Sequence, residues 1–229
     1  MSSVGIQSVS FEFPSARATT AQVWKAVDFC ERLTAAILLV LSAPVVLSAA
    51  VVIAGISRRS PFVAHRRVVQ SGRAVWILKL RTMWEGGWPP IPSQRPPLVE
   101  RLTPPSSAAQ IRKAANDPRI TSAFAAFCRR YSLDELPQLW HVLRGELALV
   151  GPRPLTEFEL DQYYGPDARL VLSQRPGLTG LWQIRGRSRL NYRQRRRLDL
   201  FLIRKWSLKL YFRILFATLP KVVCGKDAW

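Results

Sequence analysis

The longest feature in the hydrophobic pattern is an uncharged run from Leu33 to Ser57, L-T-A-A-I-L-L-V-L-S-A-P-V-V-L-S-A-A-V-V-I-A-G-I-S. At about 1.5 Å per residue, a helix of this length crosses a hydrocarbon core about 30 Å thick. Two features complicate a plain span. Ser42 and Pro44 lie near its middle, where the proline removes one rung of the helical ladder and a serine hydroxyl can satisfy a freed carbonyl. Both flanks are basic, with Lys25 and Arg32 before and Arg58 and Arg59 after, and the positive-inside rule keeps such ends on the cytoplasmic side. A helix that enters, breaks at Ser42-Ala43-Pro44 and returns satisfies both features. A kinked spanning helix is the alternative, and the pattern alone leaves the two open.

Beyond Arg59 the period shortens. Phe62-Val63-Ala64, Val68-Val69 and Ala74 to Leu78 predict short strands, with Gln70-Ser71-Gly72 as a hairpin turn. Lys79-Leu80-Arg81-Thr82-Met83 closes this segment and puts Lys79 and Arg81 on one strand face. Residues 84–115 are dense in proline and predict an extended insertion without periodic structure. Asn116-Asp117-Pro118-Arg119 reads as a turn leading into a helix from about Ser122. The apolar face of that helix (Ala123, Phe124, Ala126, Phe127) ends at Arg129-Arg130. Leu155 to Tyr164 and Asp167 to Ser173 predict short helices, and Arg175 to Gln183 predicts tight turns around prolines and glycines. A basic loop, Arg185 to Arg189, precedes a helix from Asn191. The tail, Leu198 to Val223, interleaves Phe201, Trp206, Phe212 and Phe216 with Arg204, Lys205, Lys209 and Arg213. That is the composition of a helix lying in the headgroup layer, with a core-facing helix of solvated basic face as the alternative.

Charge narrows the classes of partner. The 229 residues carry 34 Lys and Arg against 15 acids, a net charge of +19, which implies polyanionic company: nucleic acid, anionic lipid or phosphorylated substrates. Cys30, Cys128 and Cys224 have no metal-binding spacing, and their odd number suits a reducing, cytosol-facing location. With His65 and His141 the only histidines, a histidine-based triad or zinc site is disfavoured. Residues 1–20 lack the basic-then-apolar order of a signal peptide and read as a loose extension. The domain reading is an extension over residues 1–24, an apolar membrane segment over 25–59, and a main domain over 60–229 carrying the insertion 84–115.

The candidate chemistry lies in Ser132 to Pro154, S-L-D-E-L-P-Q-L-W-H-V-L-R-G-E-L-A-L-V-G-P-R-P. Ser132 and Glu135 have the spacing of a capping box, which would put Asp134 and Glu135 in a first helical turn. That position suits a nucleophile or metal ligand more than a proton donor. Adjacent helical residues diverge by about 100°, so the two acids are expected to divide two roles. Pro137 disfavours helical geometry at Leu136 and predicts an irregular start. Helix-start acids are common, and their neighbours decide the matter: Arg129 and Arg130 before, and Arg153 in a rigid Gly-Pro-Arg-Pro turn after. Acids flanked by fixed guanidiniums are what phosphoryl transfer requires.

The ordered set K-L-R-T-M, N-D-P-R-I-T, S-L-D-E-L-P-Q-L-W, L-V-G-P-R-P, R-P-G-L-T-G-L-W-Q and G-R-S, behind a basic-flanked apolar segment with a central Ser-Ala-Pro, resembles the bacterial sugar transferases. These are also called monotopic phosphoglycosyl transferases. The likeness runs from about Lys25 to the C-terminus. It implies transfer of a sugar-1-phosphate from a UDP-sugar to undecaprenyl phosphate with Mg²⁺, initiating an exopolysaccharide or related glycan. It implies an α+β, mainly helical fold: a re-entrant helix-break-helix at Ser42 and Pro44, then a cytosolic catalytic domain with a small β-hairpin or sheet and amphipathic interfacial helices. By the same match Asp134 is the nucleophile, Glu135 the Mg²⁺ ligand, and Arg129, Arg153, Lys79 and Arg81 the phosphate-binding residues. The implied setting is the cytoplasmic face of a bacterial inner membrane, with anionic lipids as partners, no nucleic acid, and room for a homodimer. Four places depart from the family pattern: Val69-Gln70 for a Gly-Arg or Gly-Lys pair, Leu80 for Phe, His141 for Asn, and Phe201-Leu202 for an aromatic pair. A non-catalytic scaffold in a polysaccharide assembly complex is the competing reading. A nucleic-acid binder leaves the acid pair and apolar run without a role, and the D-G-x-x-A-R signature of CDP-alcohol phosphotransferases is absent.

Overall fold

The computed structural model describes residues 17–84, 97–102, 120, 122–186 and 190–224. The Asn116–Arg119 turn, most of the insertion 84–115, the middle of the basic loop and the first sixteen residues lie outside them.

Helix α1, Arg17–Ser57, runs 41 residues with Pro44 inside it, about 60 Å of helix. The expected interruption at Ser42 and Pro44 does not separate two helices. Pro44 removes only its own rung, and the Ser42 hydroxyl donates to the Leu39 carbonyl at 3.4 Å. Trp24, Val27, Glu31, Ala35, Leu39, Ser42, Val46, Ala49 and Ile53 form one stripe at three- and four-residue steps, with Ala50 beside it, buried or half-buried against the rest of the chain. The other faces expose Phe29, Leu33, Ile37, Val40, Leu41, Leu47 and Val51. A helix apolar all round but covered on one stripe leaves an apolar face for something other than water. It is the single described helix long and apolar enough to cross a membrane.

The domain that α1 lies on contains two small sheets. Strand β1 (Phe62–Val68) pairs antiparallel with β2 (Ala74–Leu80) across the expected turn at Gln70–Gly72. On its other edge β1 takes β3 (Val99–Leu102) in parallel register, Phe62 opposite Val99. The insertion therefore contributes a strand where the proline density predicted none. V-E-R-L is short, but an unpaired edge of β1 supplies its hydrogen bonds. The second sheet is β4 (Ala148–Val150) parallel to β5 (Gly177–Thr179).

Between the sheets come α2 (Ala123–Arg130), α3 (Leu139–Leu143), α4 (Glu157–Glu159, running into a wide π turn to Tyr164) and α5 (Ala168–Val171). Next are α6 (Leu181–Arg185), α7 (Tyr192–Arg204) and α8 (Leu208–Cys224). Ser122 caps α2, its hydroxyl accepting from the Ala125 N–H at 3.0 Å. Full capping boxes form at Thr156 with Glu159 and at Asn191 with Gln194. The tail read as one stretch is two helices, α7 and α8, divided at Lys205–Ser207.

Candidate active site

The expected capping box at Ser132 does not form. The Ser132 N–H closes α2 by donating to Arg129 O at 3.1 Å, which leaves Ser132 left-handed at φ 56° and ψ 24°. A capping residue needs extended geometry, so this serine cannot serve the next helix. The chain continues instead as a 3-10 turn, Leu133–Gln138, holding Pro137 and passing into α3. The irregular start predicted from Pro137 is present, and both acids sit in the first turn.

The turn packs on β2, and Lys79 reaches both acids. Its Nζ lies 2.8 Å from Glu135 Oε1 and 3.7 Å from Asp134 Oδ2. Burial works against the Lys79 ammonium, but the carboxylates of Glu135 and Asp134 outweigh it and hold its pKa above the ordinary value. The two acids differ in access: the Asp134 side chain is 8% exposed and that of Glu135 41%. Arg129, at the end of α2, stands beside them with Nη1 3.4 Å from Thr82 Oγ1, and its Nε is buried without a hydrogen-bond partner. Cys128, below, is pushed up to about 11 by burial and then by Asp134; this thiol stays protonated at neutral pH and is no nucleophile.

His141 proves to be a brace. Its Nδ1 is 2.7 Å from Glu146 Oε2, and its Nε2 accepts from the Leu78 N–H at 3.1 Å, fixing the strand residue before Lys79. Arg81 has a different neighbourhood from Lys79. Its Nε donates to Ser60 O at 2.7 Å and its Nη2 pairs with Glu100 of β3. The guanidinium is buried in that pairing.

Arg153 belongs to a second cluster, built where two motifs meet backbone to backbone. The Gly151 N–H donates to Thr179 O and the Gly177 N–H to Pro152 O, each at 2.9 Å. A Cβ on Gly177 would come within 2.1 Å of Gly151 N, and one on Gly151 within 2.4 Å of Arg175 O. No side chain fits this contact, which fixes where the Pro-Arg-Pro turn points. The Arg153 guanidinium lies 5.0 Å from the Trp182 ring, and Arg195 lies 5.2 Å from that ring and 5.2 Å from Tyr192. Arg67 of β1 pairs with Glu159 at 3.5 Å. Glu159 also accepts from the Thr156 N–H at 2.9 Å and the Tyr192 hydroxyl at 3.1 Å. Burial disfavours the Glu159 carboxylate, but Arg153 and Arg67 hold its pKa below the ordinary value. Behind them Asp199, fully buried, accepts from the Tyr164 hydroxyl at 2.7 Å. Burial raises Asp199 to about 7, against the opposing pull of Tyr164, Arg153 and Arg195.

Strand β1 joins the clusters. Val63 stands opposite Lys79, His65 opposite Ile77 and Arg67 opposite Val75, so Lys79, His65 and Arg67 share one sheet face at steps of about 7 Å. His65, between them, is lowered to about 4 by burial and by Arg67, Lys79 and Arg81, and is neutral at physiological pH. Of the residues read from sequence, Lys79, Asp134, Glu135 and Arg129 come together, and Arg153 anchors the second cluster. Arg67, His65, Glu159, Tyr164, Trp182, Tyr192, Arg195 and Asp199 were missed. Two signals pointed toward them: Trp182 closes the R-P-G-L-T-G-L-W-Q motif, and Thr156-x-x-Glu159 is a capping box whose acid has a second use.

An acid pair gripped by lysine beside a cluster of three arginines is a site for anionic, phosphate-bearing ligands. Comparison with known proteins narrows this. Residues 21–225 match the model of the bacterial sugar transferase family. The chain is 38% identical over 199 residues to the exopolysaccharide production protein ExoY of Rhizobium meliloti (strain 1021), covering 86% of this chain and 85% of that one. It is 34% identical over 218 residues to a UDP-glucose:undecaprenyl-phosphate glucose-1-phosphate transferase of Caulobacter vibrioides, covering 89% and 73%. It is 40% identical over 167 residues to an undecaprenyl-phosphate galactose phosphotransferase of Salmonella typhimurium, covering 71% of this chain and 33% of that one. The chain belongs to the bacterial sugar transferase family.

Proposed function

We propose that this protein transfers a sugar-1-phosphate from a UDP-sugar to undecaprenyl phosphate through a covalent phosphosugar on Asp134, the membrane step that initiates a polysaccharide. The observation that carries the reading is the division within the acid pair: Asp134 enclosed against Lys79, Glu135 open beside it. In the first step an Asp134 carboxylate oxygen attacks the β-phosphorus. The bond from that phosphorus to the bridging oxygen breaks, and UMP leaves with the oxygen. In the second step a phosphate oxygen of the acceptor attacks the same phosphorus and releases the Asp134 carboxylate. Lys79 and Arg129 neutralise charge at the reacting phosphate, and Arg153, Arg67 and Arg195 take the remaining anionic groups. Arg81 would reach a phosphate only by leaving Glu100; where it stands it ties β2 to β3.

Among the described residues no group of three His, Cys, Asp or Glu side chains gathers, so a metal here would draw its other ligands from substrate and water. That suits Mg²⁺, which binds through one or two carboxylates plus substrate phosphates, and Glu135 is the residue to hold it. When bound, the ion would supply charge neutralisation on the diphosphate.

In this reading the exposed face of α1 sits in the cytoplasmic leaflet. Both halves of α1 rest on one domain, Trp24 against Trp206 and Ile53 in the cluster with Phe62 and Leu80, which supports a helix lying along the interface with both ends on the same side, without the break that a re-entrant hairpin needs. The basic side chains bind anionic headgroups, each worth about 1 kcal/mol near such a surface. Intact-protein mass spectrometry after incubation with a panel of UDP-sugars tests the chemistry. The wild type should gain a phosphosugar mass with the correct donor and release UMP, and Asp134→Asn should gain none. An Asp134→Asn protein that still carried the adduct would refute the assignment, and no UMP from any donor would favour the scaffold reading.

A further inference from the structure

Between α6 and α7 the surface opens into a groove of about 410 Å³, lined by Leu181, Leu190, Leu198 and Phe201 with Arg185, Gln194 and Arg197. It lies outside both charged clusters but is built on the same two helices. On α7, Gln194, Arg197, Leu198 and Phe201 succeed one another at i, i+3, i+4 and i+7 and present one face to the groove. Arg195 and Asp199, at i and i+4, turn the other way and are buried in the second cluster. On α6, Leu181 and Arg185 face the groove, while Trp182 lies beneath the Arg153 guanidinium. The helix pair therefore carries a cationic receptor on one side and an apolar channel with exposed guanidiniums at its mouth on the other.

We propose that this groove seats the isoprenoid chain next to the phosphate of the polyprenyl phosphate acceptor. The proposal rests on the transferase function proposed for this chain. Its occupant is set by charge and shape: Arg185 and Arg197 suit a phosphate monoester, the leucines and Phe201 suit a branched hydrocarbon, and the donor carries no apolar chain to fill the walls. The groove is open and Phe201 at its edge is exposed, so the rest of a long chain can leave it for the bilayer.

The test uses the full-length protein with farnesyl phosphate in detergent and undecaprenyl phosphate in vesicles. Phe201→Ser and Leu190→Ser change partly exposed side chains, so at least one is expected to fold. Each should raise the acceptor KM about tenfold in both media, the loss expected from one buried apolar side chain. The UDP-sugar KM measured in the adduct-forming half-reaction should change far less. Leu98→Ser, exposed beside β3 and outside the groove, should match the wild type. An unchanged acceptor KM in both groove variants overturns the proposal. So does an effect confined to vesicles, which would make the groove a seat for bilayer acyl chains. Photolabelling with a diazirine-bearing farnesyl phosphate gives a readout independent of turnover: the label should fall within residues 190–201, and label elsewhere overturns the groove. A wild type that binds the probe there yet forms no adduct would instead refute the function.

Discussion

The two charged clusters use the same residue types in opposite proportion, and the contrast explains what each can do. Around Lys79 two carboxylates share one ammonium, with a single guanidinium, Arg129, to the side. Around Glu159 three guanidiniums gather: Arg67 pairs with the carboxylate, while Arg153 and Arg195 lie over the ring of buried Trp182. In the proposed reaction the first arrangement keeps a nucleophilic oxygen available and steers it. The second keeps guanidinium groups in place before any ligand arrives, because the carboxylate of Glu159 and the rings of Trp182 and Tyr192 hold them. Cations fixed this way need no reorganisation when a diphosphate binds. One cluster comes from a single turn, the end of α2 just before it and a facing strand; the other draws on β1, the Pro-Arg-Pro turn, α4, α6 and α7.

Substitutions in the two clusters should therefore fail differently. The largest effect is expected from Asp134→Asn, a loss of at least about a thousandfold in transfer with the fold intact, seen as absent adduct and an unchanged melting curve. Arg153→Ala should lower kcat/KM by about a hundredfold and also cost stability, about 2 kcal/mol, because Glu159 and Asp199 lose a shared cation. Denaturant titration beside kinetics would show both losses, and a purely kinetic effect would erase the contrast between the clusters. Lys79→Gln should slow adduct formation about tenfold or more and leave binding of UMP to the second cluster unchanged, as calorimetry would report.

Asp199 gives a pH signature that belongs to the second cluster alone. Its folded pKa, about 7, lies above the ordinary value of 3.8, so between these limits the folded state holds a proton that the unfolded chain releases. The stability it confers is full below about pH 4 and is lost as pH rises through 7. Asp199→Asn should remove that slope, worth on the order of 2–4 kcal/mol between pH 4 and 8, and thermal melts at pH 5 and pH 8 would detect its absence. The smallest effect is expected from Arg130→Ala, an exposed neighbour of the dyad that stacks on Tyr131. Less than about 0.5 kcal/mol should be lost, with kcat within about twofold.

Local features were readable in advance where the chain itself supplies the interaction. The Gln70–Gly72 hairpin, the Ser122 start of α2, the irregular turn at Pro137 and the apolar length of α1 all depend on neighbours within a few residues. The capping box expected at Ser132 is absent, and one forms at Thr156 instead. S-x-x-E and T-x-x-E look alike in a string, and only the path of α2 decided that Ser132 ends a helix while Thr156 begins one. Strand β3 was illegible because V-E-R-L becomes a strand by borrowing the open edge of β1.

By itself, the sequence determined the motif set, the acid pair, the basic balance and the uncharged helix, since each is written in consecutive residues. Only the tertiary structure decided that Lys79 serves both acids while Arg81 serves Glu100, that Arg67 and Arg195 join Arg153, and that α1 docks by one stripe. These are contacts between residues up to 180 positions apart, as for the buried Glu31 carboxylate that meets Tyr211. A hydrophobic pattern can say that α1 is apolar on every face. Which face is covered, and which is left exposed, depends on the surface it lies against, and no stretch of consecutive residues encodes that surface.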